Sequence, residues 1–251
     1  MKYYNKFIFS YSLGFLLLLS GCFSSGYQTQ SVDANYMLID SLVDENMAME
    51  NVIKPYRDSL NVEMQTVIGV AAKELSGGLP EGLLSNFVTD LIIEECHLVD
   101  DKPDICIINI KGLRVPINKG EIKVENIYQL MPFENEVVYL TMSKDQIIEL
   151  FDFMASVGGD GMSGASFGIK NGKAVDIKVG GGALEDRNYI VATSDYLADG
   201  GDHFKVFQSA LAKRGTGIKV RDAIIEHVKR LSEKQQKVDS QLDKRIYYAE
   251  E

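Results

Sequence analysis

Apolar positions along the chain change their period several times, and each change marks an element. Leu83, Leu84, Phe87, Val88, Leu91 and Ile92 recur at three- and four-residue spacing, which predicts a helix packed on one side over residues 81–96. Residues 104–110 are almost continuously apolar, which predicts a central strand buried on both faces. Residues 67–71 and 136–142 predict two more strands, and Ser143 reads as the N-cap of a helix reaching about residue 155. A loop precedes a short helix near 124–130, and residues 157–164 read as a Gly-rich loop. Residues 165–179 turn on Asn171-Gly172, a dipeptide that accepts the left-handed backbone of a tight hairpin. A strand over 188–194, an amphipathic helix over 220–235 and a last strand over 244–249 follow. Residues 36–60 carry helical spacing interrupted by Pro55, so a helix is expected to break or restart there. Strands and helices interleave around a central hairpin. That pattern predicts a mixed-sheet α/β or α+β domain rather than a sandwich or a bundle.

The first segment follows a different logic. Lys2 and Lys6 precede the apolar run from Phe7 to Leu19, which ends in Leu19-Ser20-Gly21-Cys22. A basic start followed by a short apolar run reads as a secretion signal, too short for a spanning helix. The ending resembles a bacterial lipobox, which implies cleavage before Cys22 and acylation of its thiol. The expected division is a signal peptide over 1–21, a flexible Ser/Gln/Thr-rich tether over 22–35, and a domain over 36–251 that begins with a helical extension over 36–63. The expected location is the bacterial cell envelope, exported and lipid-anchored, on the periplasmic or outer-membrane face. Two or more acyl chains hold a protein stably to a bilayer.

The formal net charge of −10 argues against binding of a nucleic acid polymer, which needs a basic face to neutralise phosphates. Only three His and three Cys are present. His97, His203 and His227 fall in no metal-ligand spacing, so each reads as a surface or locally hydrogen-bonded residue and no metal is expected on the chain. Cys96 and Cys106 are either a disulfide, which an exported protein permits, or two small buried thiols. Gly161-Met162-Ser163-Gly164 lacks the spacing of a nucleophile elbow, and no phosphate-binding P-loop is present. No self-sufficient reaction centre is legible, and no catalytic residue is assigned.

A binding set is legible. Asn109-Ile110-Lys111-Gly112-Leu113-Arg114 follows the buried strand, where α/β sheets place ligands. Arg114 offers a planar fork suited to phosphate. Phe133 and Asn135 lie in Pro132-Phe133-Glu134-Asn135, ahead of the next strand: the ring can stack on a base and the amide can read polar edges. Asp195-Tyr196 and Asp199-Gly200-Gly201-Asp202 form a third piece, in which paired Gly allow close approach and Asp202 can accept from sugar hydroxyls.

These pieces, in this order, resemble the C-terminal domain of the 5′-nucleotidase family, which includes UDP-sugar hydrolases and 2′,3′-cyclic phosphodiesterases. The family patterns are Asn-x-Gly-Gly-x-Arg, Pro-Phe-x-Asn, and an aromatic followed by Gly-Gly-Asp-Gly-Tyr/Phe. The stretch of Ser85-Asn86-Phe87 with Asp90 is similar to a further family motif, and Arg245-Ile246 fits the family's ending. The resemblance runs from about residue 64 to 248. It implies an α+β fold with four α/β/β/α layers that binds nucleotide or nucleoside. By position, Phe133 and Tyr196 would sandwich the base, Asn135 would read it, and Gly158 would let its edge approach. Arg114 would face phosphate and Asp202 the ribose, with Asn109, Gly112, Gly200 and Gly201 completing the substrate-binding set.

Two departures modify that implication. Lys111 replaces a family Gly. Nothing in the chain matches the Asp-x-His and Asn-His-Asp/Glu motifs of the family's metallophosphatase half. The expected function is therefore the nucleotide-binding part of a 5′-nucleotidase-type hydrolase in nucleotide catabolism, inactive alone and paired with a separately encoded metallophosphatase. No cofactor is expected on this chain; the divalent metal belongs to that partner. The alternative is a tethered nucleotide or nucleoside receptor without enzymatic role.

Overall fold

The computed structural model describes Tyr36, residues 44–98 and residues 102–250. The signal segment, the tether and Cys22 lie outside the described residues. The architecture below is that of the unit Asn51–Glu251. Its elements are β1 (Val67–Ala71), α2 (Leu83–Leu98), β2 (Ile105–Ile108), β3 (Gly120–Lys123), α3 (Val124–Leu130), β4 (Glu136–Met142), α4 (Lys144–Ser156), β5 (Gly161–Ser163), β6 (Ala165–Lys170) and β7 (Lys173–Val179). They continue with β8 (Gly182–Ala183), β9 (Tyr189–Ser194), α5 (Asp195–Ala198), β10 (Ala212–Lys219), α6 (Val220–Glu233) and β11 (Ile246–Tyr248); the helix α1 (Met47–Met64) precedes them all.

A five-stranded sheet in the order β10-β4-β9-β2-β5 carries the fold. Its inner strands obey the period-two rule: Cys106, Ile108, Val137, Tyr139 and Ala192 join one core, whereas Ile105, Ile107, Val138, Leu140 and Val191 join the other. The first core is closed by α2, α3 and α6. The second is shared with α4 and with a four-stranded sheet, β11-β6-β7-β8. β1 and β3 form a separate antiparallel pair. The result is the expected α+β domain of mixed sheets with packed helices.

Local chemistry explains most boundaries. Ser143 accepts from Gln146 N at 3.4 Å while Gln146 Oε1 accepts from Ser143 N at 2.9 Å, a capping box that starts α4. Asn171 and Gly172, at φ 51° and 71°, make the hairpin turn between β6 and β7.

Three expectations are corrected. α1 runs through Pro55 without breaking, although Pro there removes one backbone hydrogen bond, and no residue of this helix is buried. The Gly-rich stretch contains a strand, β5, because Gly161 has no Cβ to strike Ile108 O, which lies 2.4 Å from where that atom would stand. β10 was not expected at all: Ala212 to Lys219 is largely exposed and has no apolar alternation, yet its backbone pairs with β4. Cys96 and Cys106 are buried thiols rather than a disulfide, and burial pushes Cys106 well above the ordinary thiol value.

Arg245 ties the C-terminal strand to the rest. Its Nη1 donates to Asp90 Oδ1 (2.8 Å) and to Met162 O (3.0 Å), and its Nη2 donates to Asp243 Oδ2 (2.8 Å). Arg245→Met removes the cation from a partly buried network and leaves Asp90 without it. We expect a loss of about 3 kcal/mol in unfolding free energy by urea titration. A loss below about 1 kcal/mol would reduce the network to an ordinary surface pair.

Candidate functional site

β2 and β9 are parallel neighbours, with Cys106 opposite Ala192 and Ile107 opposite Thr193. β4 runs antiparallel beside β9, with Val137 opposite Ser194. The exits of β2 and β9 and the entry of β4 therefore meet at one sheet edge. Asn109, Asn135 and Tyr196 leave the sheet at that edge, and a cleft of about 810 Å³ opens there. It is lined by residues 108–114, 131–135, 194–202 and 220 in part, including Asn109, Lys111, Gly112, Arg114, Phe133, Asn135, Tyr196 and Asp202.

Phe133 and Tyr196 are 43% and 47% exposed, so they flank the cleft rather than fill a core. Tyr196 is held by three devices. Its hydroxyl donates to Asp202 Oδ1 at 3.0 Å and accepts from Asp202 N at 3.3 Å. Asp195 Oδ1 accepts from Tyr196 N at 2.8 Å. Gly201 lies against the ring: a Cβ there would stand 2.5 Å from the Tyr196 ring carbons, so no other residue fits.

Asp202 is doubly satisfied, because Asn109 Nδ2 donates to its second oxygen at 2.8 Å. Its φ of 47°, with His203 at 69°, places two consecutive non-Gly residues in the left-handed region. Gly112 makes room for the Asn109 amide, whose Oδ1 would lie 2.9 Å from a Cβ. Asn135 Nδ2 donates to Asp195 Oδ1 at 2.8 Å, and Asn135 Oδ1 keeps an acceptor without a partner among the described residues.

The charges divide unevenly. Lys111 and Arg114 are exposed and form no ion pair with a described residue; Arg114 Nη1 reaches only Lys111 O, at 3.4 Å. The lining carboxylates, Asp202 and Glu134, are already engaged, the latter by Arg221.

Not every expected residue reaches the cleft. Gly158 ends α4 at φ 88°, and the nearest atoms to a Cβ there would be Leu79 Cδ1 and Tyr248 OH, both at 3.9 Å. Gly201 packs against the Tyr196 ring and Gly200 against Gln208, and neither is on the lining. Asn86 and Asp90 serve the frame: Asn86 Nδ2 donates to Glu81 Oε1 (2.6 Å) and to Gln241 O (2.9 Å), while Asp90 holds Arg245. His97 and His203 are exposed, whereas His227 is buried, its Nδ1 3.4 Å from Glu95 Oε1, and burial lowers its pKa. Among the described residues, no three of His, Cys, Asp or Glu gather where they could hold a metal ion.

Two residues escaped the sequence reading. Arg221, 7% exposed, opens α6, stacks 4.2 Å over the Tyr128 ring, and bonds Phe133 O and Glu134 beneath the Phe133 loop. Asp160 accepts from Ile110 N at 2.6 Å and from Gly161 N at 2.9 Å, behind the turn that carries Asn109 and Lys111. A lone Arg at a helix start and a lone Asp in a Gly-rich loop carry no spacing signal.

Burial, with a smaller contribution from the Asp202 charge, pushes Asp160 from an ordinary 3.8 up to about 6. The folded protein therefore keeps a proton that the unfolded chain releases between those two values, and stability falls as pH rises through that window. Asp160→Asn lacks this loss. Urea midpoints should shift in favour of the Asn variant on going from about pH 4 to about pH 7. A shift in the opposite direction would show that the carboxylate is stabilised, not opposed, by its surroundings.

Known proteins share part of this sequence and its fold. Residues 67–209 match the family model described as 5'-nucleotidase, C-terminal domain. The chain is 24% identical over 174 residues to a 5'-nucleotidase of Vibrio vulnificus, covering 67% of this chain and 32% of that one. It is 24% identical over 168 residues to protein UshA of Escherichia coli, covering 64% and 30%. The chain thus spans about a third of the length of these curated relatives. Among solved structures, a 5'-nucleotidase precursor from Thermus thermophilus superposes with a TM-score of 0.68 at 24% identity, over 82% of this chain and 44% of that one. With the matched model covering more than half of its length, this chain belongs to the 5'-nucleotidase C-terminal domain family.

Proposed function

We propose that the cleft binds a nucleotide and orients it for hydrolysis in nucleotide catabolism, the phosphate-ester chemistry being supplied by a separately encoded metallophosphatase. The observation that carries this reading is the division of charge. Neither lining cation forms an ion pair with a described residue, whereas the lining carboxylates are engaged within the protein. A site so arranged favours an anionic ligand that also has a flat face for two rings. Phe133 and Tyr196 would take the base between them. Asn135 Oδ1 would accept from a base edge. Lys111 and Arg114 would take the phosphate, with Lys111 adding a cation where the family pattern has Gly. The retained binding motifs and the scattered histidines support the division of labour between this chain and a partner that brings the divalent metal. The Leu-Ser-Gly-Cys signature supports a lipoprotein anchored through Cys22 in the cell envelope.

Calorimetry with adenosine and AMP tests the site. Phe133→Ala should weaken both ligands by about 1–3 kcal/mol, the worth of one stacked ring. Arg114→Met and Lys111→Met should weaken AMP by about fivefold to tenfold each and adenosine much less. Equal losses on both ligands would take phosphate away from these cations, and no binding of either ligand by the wild type would remove the nucleotide reading.

The anchor has its own test. Cys22→Ser should release the protein from the membrane fraction of the producing cell. Retention in that fraction would overturn the lipid assignment.

A further inference from the structure

Asp160 belongs to none of the motifs and lines no part of the cleft, yet it sits between two tightly packed glycines. Gly159, at φ 110°, packs so closely that Pro80 O lies 2.3 Å from where a Cβ would stand. Gly161, on the other side, has Ile108 O at 2.4 Å. Backbone presses on backbone at both neighbours, so Asp160 cannot drift without moving β2 or the loop at residue 80. It accepts two hydrogen bonds, both at Oδ1: from Ile110 N at 2.6 Å and from Gly161 N at 2.9 Å.

Ile110 begins the single helical turn Ile110–Gly112 and directly follows Asn109. Asn109 Nδ2 holds Asp202 Oδ2, and Asp202 Oδ1 holds the Tyr196 hydroxyl. A continuous series therefore runs from a fixed carboxylate, through a backbone amide and a side-chain amide, to a second carboxylate and a ring. We propose that Asp160 is a positioning residue for the cleft: by anchoring the Ile110 amide it fixes Asn109 and Asp202, and through them the orientation of the Tyr196 ring. The charged groups acting on it are Asp202, which opposes its ionisation, and Lys111, which favours it. A carboxylate kept where burial disfavours charge fits an anchor chosen for its acceptor geometry. The coupling inside the protein is independent of the ligand; its consequence for binding rests on the nucleotide reading above.

Hydrogen exchange on the ligand-free full chain reads the coupling directly. Asp160→Ala should speed exchange about tenfold at Ile110 and also across residues 196–203, and should weaken adenosine by about tenfold. Asp160→Asn, which keeps an amide oxygen for Ile110, should restore both. Asn109→Ala cuts the series one link later. It should loosen 196–203 while Ile110 stays protected, and this arm stands even if the Ala variant at 160 fails to fold. Unchanged exchange at 196–203 in Asn109→Ala, or an Asn variant at 160 that behaves like the Ala variant, overturns the proposal. A wild type that binds no nucleoside but shows the coupled exchange upholds the series and overturns the nucleotide reading instead.

Discussion

Two parallel strands side by side, β2 and β9, with antiparallel β4 against β9, set where everything else in the site can be. Parallel neighbours leave the sheet at the same edge, and an antiparallel neighbour enters there. Three segments far apart in sequence, around Asn109, Asn135 and Tyr196, are thereby brought to one edge by backbone pairing alone. The side chains need only finish the work. Asn109 bridges to Asp202, and Asn135 bridges to Asp195, so each loop is hydrogen-bonded to the α5 region that follows β9. Because the strands are buried on both faces, a slip of one residue would exchange the two cores, and the register of the site is as secure as the packing.

The cleft is finished by close contacts at glycines, where a Cβ would strike a neighbouring group. Gly201 under the Tyr196 ring and Gly112 beside Asn109 leave room for those side chains by carrying none of their own. The same holds for Gly161 against β2. Motif glycines of this kind read, from sequence, as residues that a ligand approaches. Here they let protein approach protein, and the stiffness passes to the residues that face the cleft. The left-handed Asp202 and His203 fit this picture, since such angles persist only where the surroundings over-determine them.

How much of this was legible follows from the signal each part leaves. β2, β4, α2, α4 and the β6–β7 hairpin are marked by apolar period, cap or turn residues, and they stand where the pattern puts them. β10 is invisible to that reasoning. An edge strand of Ala, Lys, Arg, Gly and Thr holds its place by backbone pairing to β4, and no hydrophobic pattern records such pairing. Pro55 misleads because the cost of Pro inside a helix is local, one lost hydrogen bond and crowding of the preceding turn, and α1 continues through it. In the site, Phe133, Asn135, Arg114, Tyr196 and Asp202 were legible through motif order and do line one cleft. Gly158 was not placed there, because its position at the end of α4 depends on loop path, which motif order does not fix. Asp160 and Arg221 support the cleft from behind, by contacts to main-chain atoms of residues whose identity leaves no trace at 160 or 221.

A binding domain adds to the rate of a hydrolase only if the energy of holding the remote part of the substrate is used at the reacting bond. On the proposed reading, the two rings hold the base at one place and the two cations take the phosphate at another, so the ester would be presented in a fixed direction rather than merely concentrated. Orientation of that kind is worth more than affinity, and it fails with displacements near 1 Å. It therefore requires stiffness, not depth. The exposed rings of Phe133 and Tyr196 would be poor anchors if they were free to turn. Tyr196 is not, being pinned through its hydroxyl, its amide and the bare face of Gly201. Phe133 is steadied from the other side by Arg221, which holds its carbonyl and the adjacent Glu134. The buried polar groups around the cleft are thus placed where an open site lacks the packing that would otherwise keep its side chains still.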